Sequence, residues 1–520
     1  MRNHRCWWRL LASPRAINTP NGHFHARAVV RWNPRPALHS RHPSSPPVDV
    51  PHATHLVPGP FPGQHRHVDA LLADVLTGLG VVDGGAVELT GDPRPHVLRS
   101  PLDVSGCAVA SVAACLTAAA ELAHVRTGRR PEVALDTGHV AAAVLGEALL
   151  RDPNGQAIAG FAPLSRLWPA ADGWVRTHAN YPWHRAALLD AFGLPDRGDA
   201  ETPLAEAIAA LPALEVERRA YDAGGLAVAA RTASEWCRSD GGGAVADVPL
   251  VTFDEPGARV PLGAAPGALP ASGLRVLDLT RVIAGPVGTR MLAALGADVL
   301  RVDPPHRPEL PLHAVDGVIG KASTALEATE DSGQRLLHAL ADQADVLVTG
   351  YRPGALRALG LEPEQVAERH PGTVVVTLSA WGTSGPWATR RGFDSLVQVA
   401  SGIGWATSAD GDRPGALPCQ LLDHATGYLV AAGALAALAE RARTGRIRHV
   451  RLSLARTARW LLDQGLHDDV ADGRRWDPDG YRIPLGGGWT GIAPPGRLDG
   501  APLRWPHLPP RYARAIPAWP

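Results

Sequence analysis

Residues 419–433 read CQLLDHATGYLVAAG, and Asp423 stands just ahead of a long Ala- and Leu-rich run. Burial at the mouth of an apolar helix penalises a carboxylate's charge. Two explanations are open from this residue alone. Asp423 is a plain N-cap that satisfies orphan backbone N–H groups. Alternatively it is a reactive group whose charge a helix N-terminus favours by about 0.3–1 kcal/mol. A second chemical candidate is LDLTRVIAGPVGTRM, residues 277–291, a Gly-bearing loop between a strand-like run and a helix-like run. Backbone N–H groups at such a helix start suit phosphates, and a simple connecting turn is the other reading. The loop is a poor G-x-G-x-x-G, because Gly285 and Gly288 flank Pro286. Asp303, closing the next apolar run, is the residue that would face a ribose in an oxidoreductase, which stands as an outside reading.

The elements that must position these groups change character along the chain. LRVLDLT (274–280), DVLRVD (298–303), ADVLVTG (344–350) and TVVVTLSAWG (373–382) are continuous apolar runs separated by helical patterns such as TRMLAALGA. That alternation predicts a parallel sheet with helical crossovers over 274–460. Residues 146–253 mix short strands with helices and are expected to form a smaller α+β domain. A Pro/Gly/Ala stretch, 254–273, reads as a linker between the two. Residues 61–145 are helical in pattern, and they hold a repeat. RTGRRPEVALDTG begins at Arg126 and RTGRIRHVRLSLA at Arg443, an offset of 317, each after an Ala-rich helix. At that offset Asp423 falls on Gly106, with Asp103 three residues away, so 61–145 reads as a second copy without the carboxylate. Residues 461–520 form a tail that matches little, although PLGGGWTG (484–491) offers a glycine loop, best read as a turn.

Composition excludes several classes. Lys+Arg and Asp+Glu both number 51 in 520 residues, so no nucleic-acid partner is implied. Lys321 is the only lysine. Five scattered cysteines without a CxxC argue against a disulfide framework and a zinc site, and suit a cytoplasmic setting. No metal is expected. No uninterrupted apolar run reaches the ~18 residues that a membrane span needs. Residues 1–60 are rich in Arg, His and Pro, with few aliphatic residues to offset ordering entropy, and are expected to be a disordered or spurious extension.

Four stretches together resemble family III CoA-transferases, the CaiB/BaiF family. They are GLRVLDLTRVIAGPVGTRMLAALGADVLRVDPP, DVLVTGYRPGALRALGL, LSAWGTSGPWATRRGFDSLVQVASGI and LLDHATGYLVAAGALAALAERARTG, in the family's order. AADGWVRTHANYPWHRAALLDAFG (170–193) resembles the family's other half, here ahead of the sheet domain instead of after it. The chain thus resembles a fused or rearranged form whose N-terminal copy is degenerate. The fold implied is α/β: a Rossmann-like parallel sheet domain with a second, smaller α+β domain.

The resemblance implies a chemistry. The Asp at the position of Asp423 is the family's nucleophile. It would carry CoA from an acyl-CoA to a carboxylic acid through an aspartyl-CoA thioester, with CoA as substrate and no permanent cofactor. Arg281, Ile283 and Ala284 match the family's nucleotide-side loop. Gly350, Tyr351 and Arg352 match its Asn-Phe-Arg segment, with the Asn lost. Arg357 is a phosphate candidate, Lys321 matches an Asn-Lys-Arg-Ser segment, and Arg391 and Asp394 look like active-site wall. The family's α-methylacyl-CoA racemases carry His where this chain has Phe393, which favours transfer. A racemase and a non-catalytic CoA-binding paralogue are the alternatives. Family members form interlocked dimers, so either a homodimer or one fused chain is expected to complete the assembly.

Overall fold

Apolar runs with no polar face become central strands, because both faces of a parallel sheet are covered. In the computed structural model, which describes residues 66–81, 85–92, 95–264, 266–467 and 476–519, this holds for the runs at 275–279, 298–303, 346–349 and 374–379. The strands in chain order are β1 (Val87–Thr90), β2 (Val133–Asp136), β3 (Leu167–Ala170), β4 (Gly173–Thr177), β5 (Ala227–Ala229), β6 (Thr252–Asp254), β7 (Arg275–Leu279), β8 (Asp298–Asp303), β9 (Ala322–Ala325), β10 (Val346–Thr349), β11 (Val374–Ser379), β12 (His449–Ser453), β13 (Arg482–Gly486), β14 (Trp489–Ile492), β15 (Arg497–Leu498) and β16 (Ala501–Pro502). Six helices matter for the site: α1 (Arg66–Leu79), α2 (Val104–Thr127), α3 (Ala284–Ala294), α4 (Asp394–Ser401), α5 (Leu421–Thr444) and α6 (Leu454–Asp463).

The main sheet runs β6-β12-β11-β10-β7-β8-β9. Strands β7 to β12 are parallel, and β6 joins β12 antiparallel at the edge. Counting β7 as the first parallel strand, the order is 3-2-1-4-5-6, which reverses between β7 and β10. Ligands of open α/β sheets bind in the crevice beyond the strand ends at such a switch point. Here those ends are Leu279 and Thr349, a registered pair.

Helices α2 and α5 form the spine of the core. Each has 24 residues, and their bounds differ by the 317-residue offset at both ends. Their caps match too: Asp103 (φ −76°, ψ 64°) against Gln420 (φ −77°, ψ 61°), and Gly128 against Gly445, both left-handed. By length and composition both are apolar enough to cross a membrane, contrary to the reading of the bare sequence, but protein buries them. The reason is their lack of a polar face; a helix apolar all round is either a core helix or a span.

Helix α5 also lies on α3 with backbones nearly touching. A Cβ added to Gly427 would come within 2.5 Å of the Ala284 carbonyl oxygen, and one on Gly288 within 2.6 Å of the Gly427 oxygen. This crossing sets the head of α5 beside the loop that follows β7.

Residues 167–229 contain a three-stranded sheet, β3-β4-β5, with a core of their own built on Leu188, Leu189, Leu204, Ile208 and Val216. The 254–273 stretch is fastened down instead of hanging free. Val260 N–H donates to Gly445 O at 2.7 Å, and Arg441 Nε donates to Val260 O at 3.0 Å. The tail is likewise built in: Arg497 and Leu498 pair antiparallel with β2, and β13–β14 is a hairpin whose turn holds Gly486, Gly487 and Gly488 at positive φ. Backbone pairing, invisible to apolar periodicity, orders both stretches. The 1–60 extension lies outside the described residues.

Candidate active site

Asp423 is the third residue of α5 and is 7% exposed. Its backbone N–H donates to Asp394 Oδ2 at 3.0 Å. Asp394 opens α4, is buried, and accepts at Oδ1 from Gln398 one turn on. Gln398 Oε1 in turn accepts from Leu417 N–H at 2.9 Å. Asp394 therefore anchors the N-terminus of α5 from outside, satisfying N–H groups that a helix leaves orphaned. It positions the head of α5.

A third carboxylate comes from the other half of the chain. Glu147, on the short helix Gly146–Leu149, meets His424 Nε2 at 2.7 Å. Burial first, then Asp394 and Glu147, push the Asp423 carboxyl well above its usual range. Burial raises Asp394 to about 6, against the hydrogen bonds from Asp423 N–H and Gln398. The helix N-terminus was expected to keep Asp423 ionised. Desolvation and two like charges outweigh a terminus effect of about 1 kcal/mol.

The Phe393 ring beside this group is stacked on His178, centroids 3.7 Å apart and planes within 3°. His184 meets the same ring edge-on at 5.8 Å. Burial holds both imidazoles neutral: His178 lies well below its usual range and His184 falls to about 3, with Arg391, Arg307 and Arg281 adding to the effect.

The switch-point loop is strained and braced. Val282 sits at φ 66°, where a β-branched residue is rare. Its N–H donates to Glu309 Oε2 at 3.2 Å. Buried Glu309 also takes Arg301 at 2.9 Å, Arg281 at 3.4 Å and the Tyr181 hydroxyl, so its carboxyl lies far below the usual range despite burial. Arg281 donates to Arg307 O and Pro308 O and lies over the Tyr181 ring at 5.1 Å. Ile283 and Ala284 begin α3 behind it. Arg352 donates to Thr389 O at 2.9 Å, and Arg391 to Gly224 O at 3.1 Å. Burial, then the nearby Arg352 and Arg307 cations, lower Arg391 to about 9. Arg281, Arg307, Arg352 and Arg391 are thus near neighbours around the end of β7. Gly350 is exposed there, and Tyr351 packs below it.

Two expected contacts stand apart. Lys321 is buried, with Nζ 2.9 Å from Asp278 Oδ2 and 2.6 Å from Thr289 Oγ1. It ties β9 to β7 and α3 under the loop, and its ammonium is already engaged. Arg357 is exposed on a single turn, Arg357–Leu359. Glu147, His178, His184, Arg307 and Glu309 carry no spacing signal, since the fold alone gathers them. The aromatic run NYPWH, which supplies Tyr181 and Trp183 to the arginines, was the one local hint.

Residues 271–488 match the family described as CoA-transferase family III. A probable fatty acyl-CoA transferase of Mycobacterium tuberculosis, Rv3272, is 34% identical over 191 residues, covering 34% of this chain and 48% of the relative. The formyl-CoA:oxalate CoA-transferase of Streptomyces coelicolor is 33% identical over 244 residues, 43% of this chain and 58% of the relative. The chain thus spans about half the length of these curated relatives. A crystal structure of Rv3272 aligns at 33% identity with a TM-score of 0.36, covering 38% of this chain and 58% of that one. The matched segment includes the switch-point loop, Asp394 and Asp423.

Proposed function

We propose that this chain moves CoA from an acyl-CoA to a carboxylic acid, with Asp423 as the covalent carrier. The observation that carries the reading is a buried carboxylate at the head of α5, inside the family III segment, held against two other carboxylates. An Asp423 oxygen attacks the thioester carbonyl, the C–S bond breaks, and CoA leaves as thiolate. The thiolate then attacks Asp423 Cγ and expels the donor acid, leaving an aspartyl-CoA thioester. The acceptor carboxylate reverses both steps. Each intermediate replaces a charged Asp423 side chain with a neutral acyl group beside Asp394 and Glu147. The raised pKa therefore destabilises the reactant relative to the intermediates, and ionised Asp423 is a better base and nucleophile than an ordinary carboxylate.

The arginines support a polyanionic substrate. Arg281, Arg307, Arg352 and Arg391 crowd the switch point despite mutual repulsion, and guanidinium forks suit phosphates. Arg357 is assigned to the outer phosphate, and Gly350, Tyr351, Ile283 and Ala284 to the crevice walls. Lys321 is assigned to holding the loop. The strand order 3-2-1-4-5-6 supports a Rossmann-like sheet. The matched bounds and caps of α2 and α5 support a degenerate N-terminal copy, and the segment just after it supplies Glu147 from the same polypeptide. The described cysteines are free, which supports a reducing, cytoplasmic setting.

The test is Asp423→Asn assayed with a panel of acyl-CoA donors and acids. Transfer disappears, while CoA binding by calorimetry persists. Wild-type turnover in the variant would refute the carrier role. Phe393 stands where a racemase has His, so a chiral 2-methylacyl-CoA gains no enzyme-dependent deuterium in heavy water; uptake would favour the racemase. CoA binding without transfer would favour the non-catalytic paralogue.

A further inference from the structure

The N-terminal half carries a different group of side chains at its own helix head. Asp103 caps α2, as Gln420 precedes α5, and its carboxylate is 5% exposed. Asp103 Oδ1 accepts from Gly106 N–H at 3.0 Å, which fixes the carboxylate against the first turn of the helix. His67, on the first turn of α1, brings Nε2 to within 2.8 Å of that Oδ2, although Oδ2 makes no aligned hydrogen bond among the described residues. His467, just beyond α6, is held by its backbone N–H, which donates to Pro101 O at 2.8 Å, and by the Leu102–Leu466 bridge. Its Nε2 is buried and has no hydrogen-bond partner among the described residues. The two imidazoles lie 5.6 Å apart at 65°. One ligand atom from each of His67, Asp103 and His467 lies within 4.8 Å of the other two.

We infer that His67, Asp103 and His467 bind a divalent first-row transition metal. Two imidazoles and one carboxylate are borderline ligands suited to zinc or ferrous iron, and three protein ligands leave open positions. Bonds of about 2.0–2.2 Å to nitrogen and oxygen place three ligands of a tetrahedron roughly 3.3 Å apart. The observed spacings, 2.8 Å for His67 to Asp103 and no more than 4.8 Å across the three, bracket that value. The Gly106 hydrogen bond orients the carboxylate, as an outer partner of a metal ligand does. The side chain of His67 is 44% exposed, which gives the ion a way in. A metal also explains a buried carboxylate oxygen and a buried imidazole nitrogen that have no hydrogen-bond partner among the described residues, which costs free energy if left unsatisfied. The cysteine spacing argued against zinc, but these three ligands come from distant segments and leave no spacing to read.

The experiment uses the full chain, stripped with a chelator and titrated with zinc chloride alone by calorimetry. Wild type binds one equivalent at this site, and its thermal unfolding midpoint rises with zinc. Histidines in residues 1–60 can bind zinc too, so the result is read as a difference from wild type. His67→Ala and His467→Ala each weaken the site by about tenfold or more and lose the zinc-dependent rise. Asp103→Asn keeps the Oδ1 cap and weakens the site as well. Cobalt(II) provides a second readout, with visible bands in wild type that vanish in the histidine variants whether or not their stability changes. Absence of zinc binding by wild type, or unchanged binding and cobalt bands in both histidine variants, would overturn the assignment.

Discussion

At Asp423 the deciding quantity is the cost of a charge. Desolvation, Asp394 and Glu147 all raise its pKa. Replacing Glu147 with Gln keeps a hydrogen-bonding group for His424 and removes one like charge. The Asp423 pKa then falls, so the rise of transfer rate with pH moves to lower pH in Glu147→Gln; an unmoved profile would show that Glu147 acts only on the fold. His184 gives a separate pH test. Its folded pKa of about 3 lies below the ordinary 6.5, so the unfolded chain takes up a proton that the folded chain refuses. Stability from this group is full above pH 6.5 and is lost as pH falls below it, by about 1.4 kcal/mol per unit. Asp394, raised to about 6, works in the other direction and loses stability as pH rises from the ordinary 3.8. Urea unfolding at pH 7 and 5 should therefore show a shallower acid loss in His184→Asn than in wild type, by about 1–2 kcal/mol. The carboxylate at 423 was legible because a motif surrounds it. Glu147 and the two histidines on Phe393 were not, because no local pattern announces a contact between halves.

Among the elements, the α3–α5 crossing decides where the carboxylate sits. Two glycines allow the contact, and Gly427 meets backbone as well as Val287. Gly427→Val forces the helices apart and should cost about 1–3 kcal/mol of stability, with a larger loss of transfer because the switch-point loop moves with α3. Wild-type melting and activity together would refute that account of the crossing. Strands β7, β8, β10 and β11 were legible from their apolar runs, and the matching bounds of α2 and α5 from the 317-residue offset. The edge strand β6 was not, since three residues of intermediate burial carry no period. The apolar length of α2 and α5 was also missed, because isolated polar residues interrupt the runs while the average stays high.

For the molecule as a whole, the described residues fall within one compact unit, and its main core cluster takes residues from α2 as well as α5. The expected domain borders at 145 and 273 therefore do not mark separate cores throughout. A fragment of residues 254–520 leaves one side of α5 uncovered and lacks Glu147. It should bind a hydrophobic dye and elute as aggregate, whereas a monomeric, cooperatively melting fragment would show that the halves are independent. The central claim has a more direct test. Wild type is incubated with an acyl-CoA donor and no acceptor, trapped with hydroxylamine or borohydride, and mapped by peptide mass spectrometry. The account predicts one modified side chain, Asp423, and no modification in Asp423→Asn. An adduct on another residue, or none with any donor in an enzyme that still transfers CoA, would contradict it.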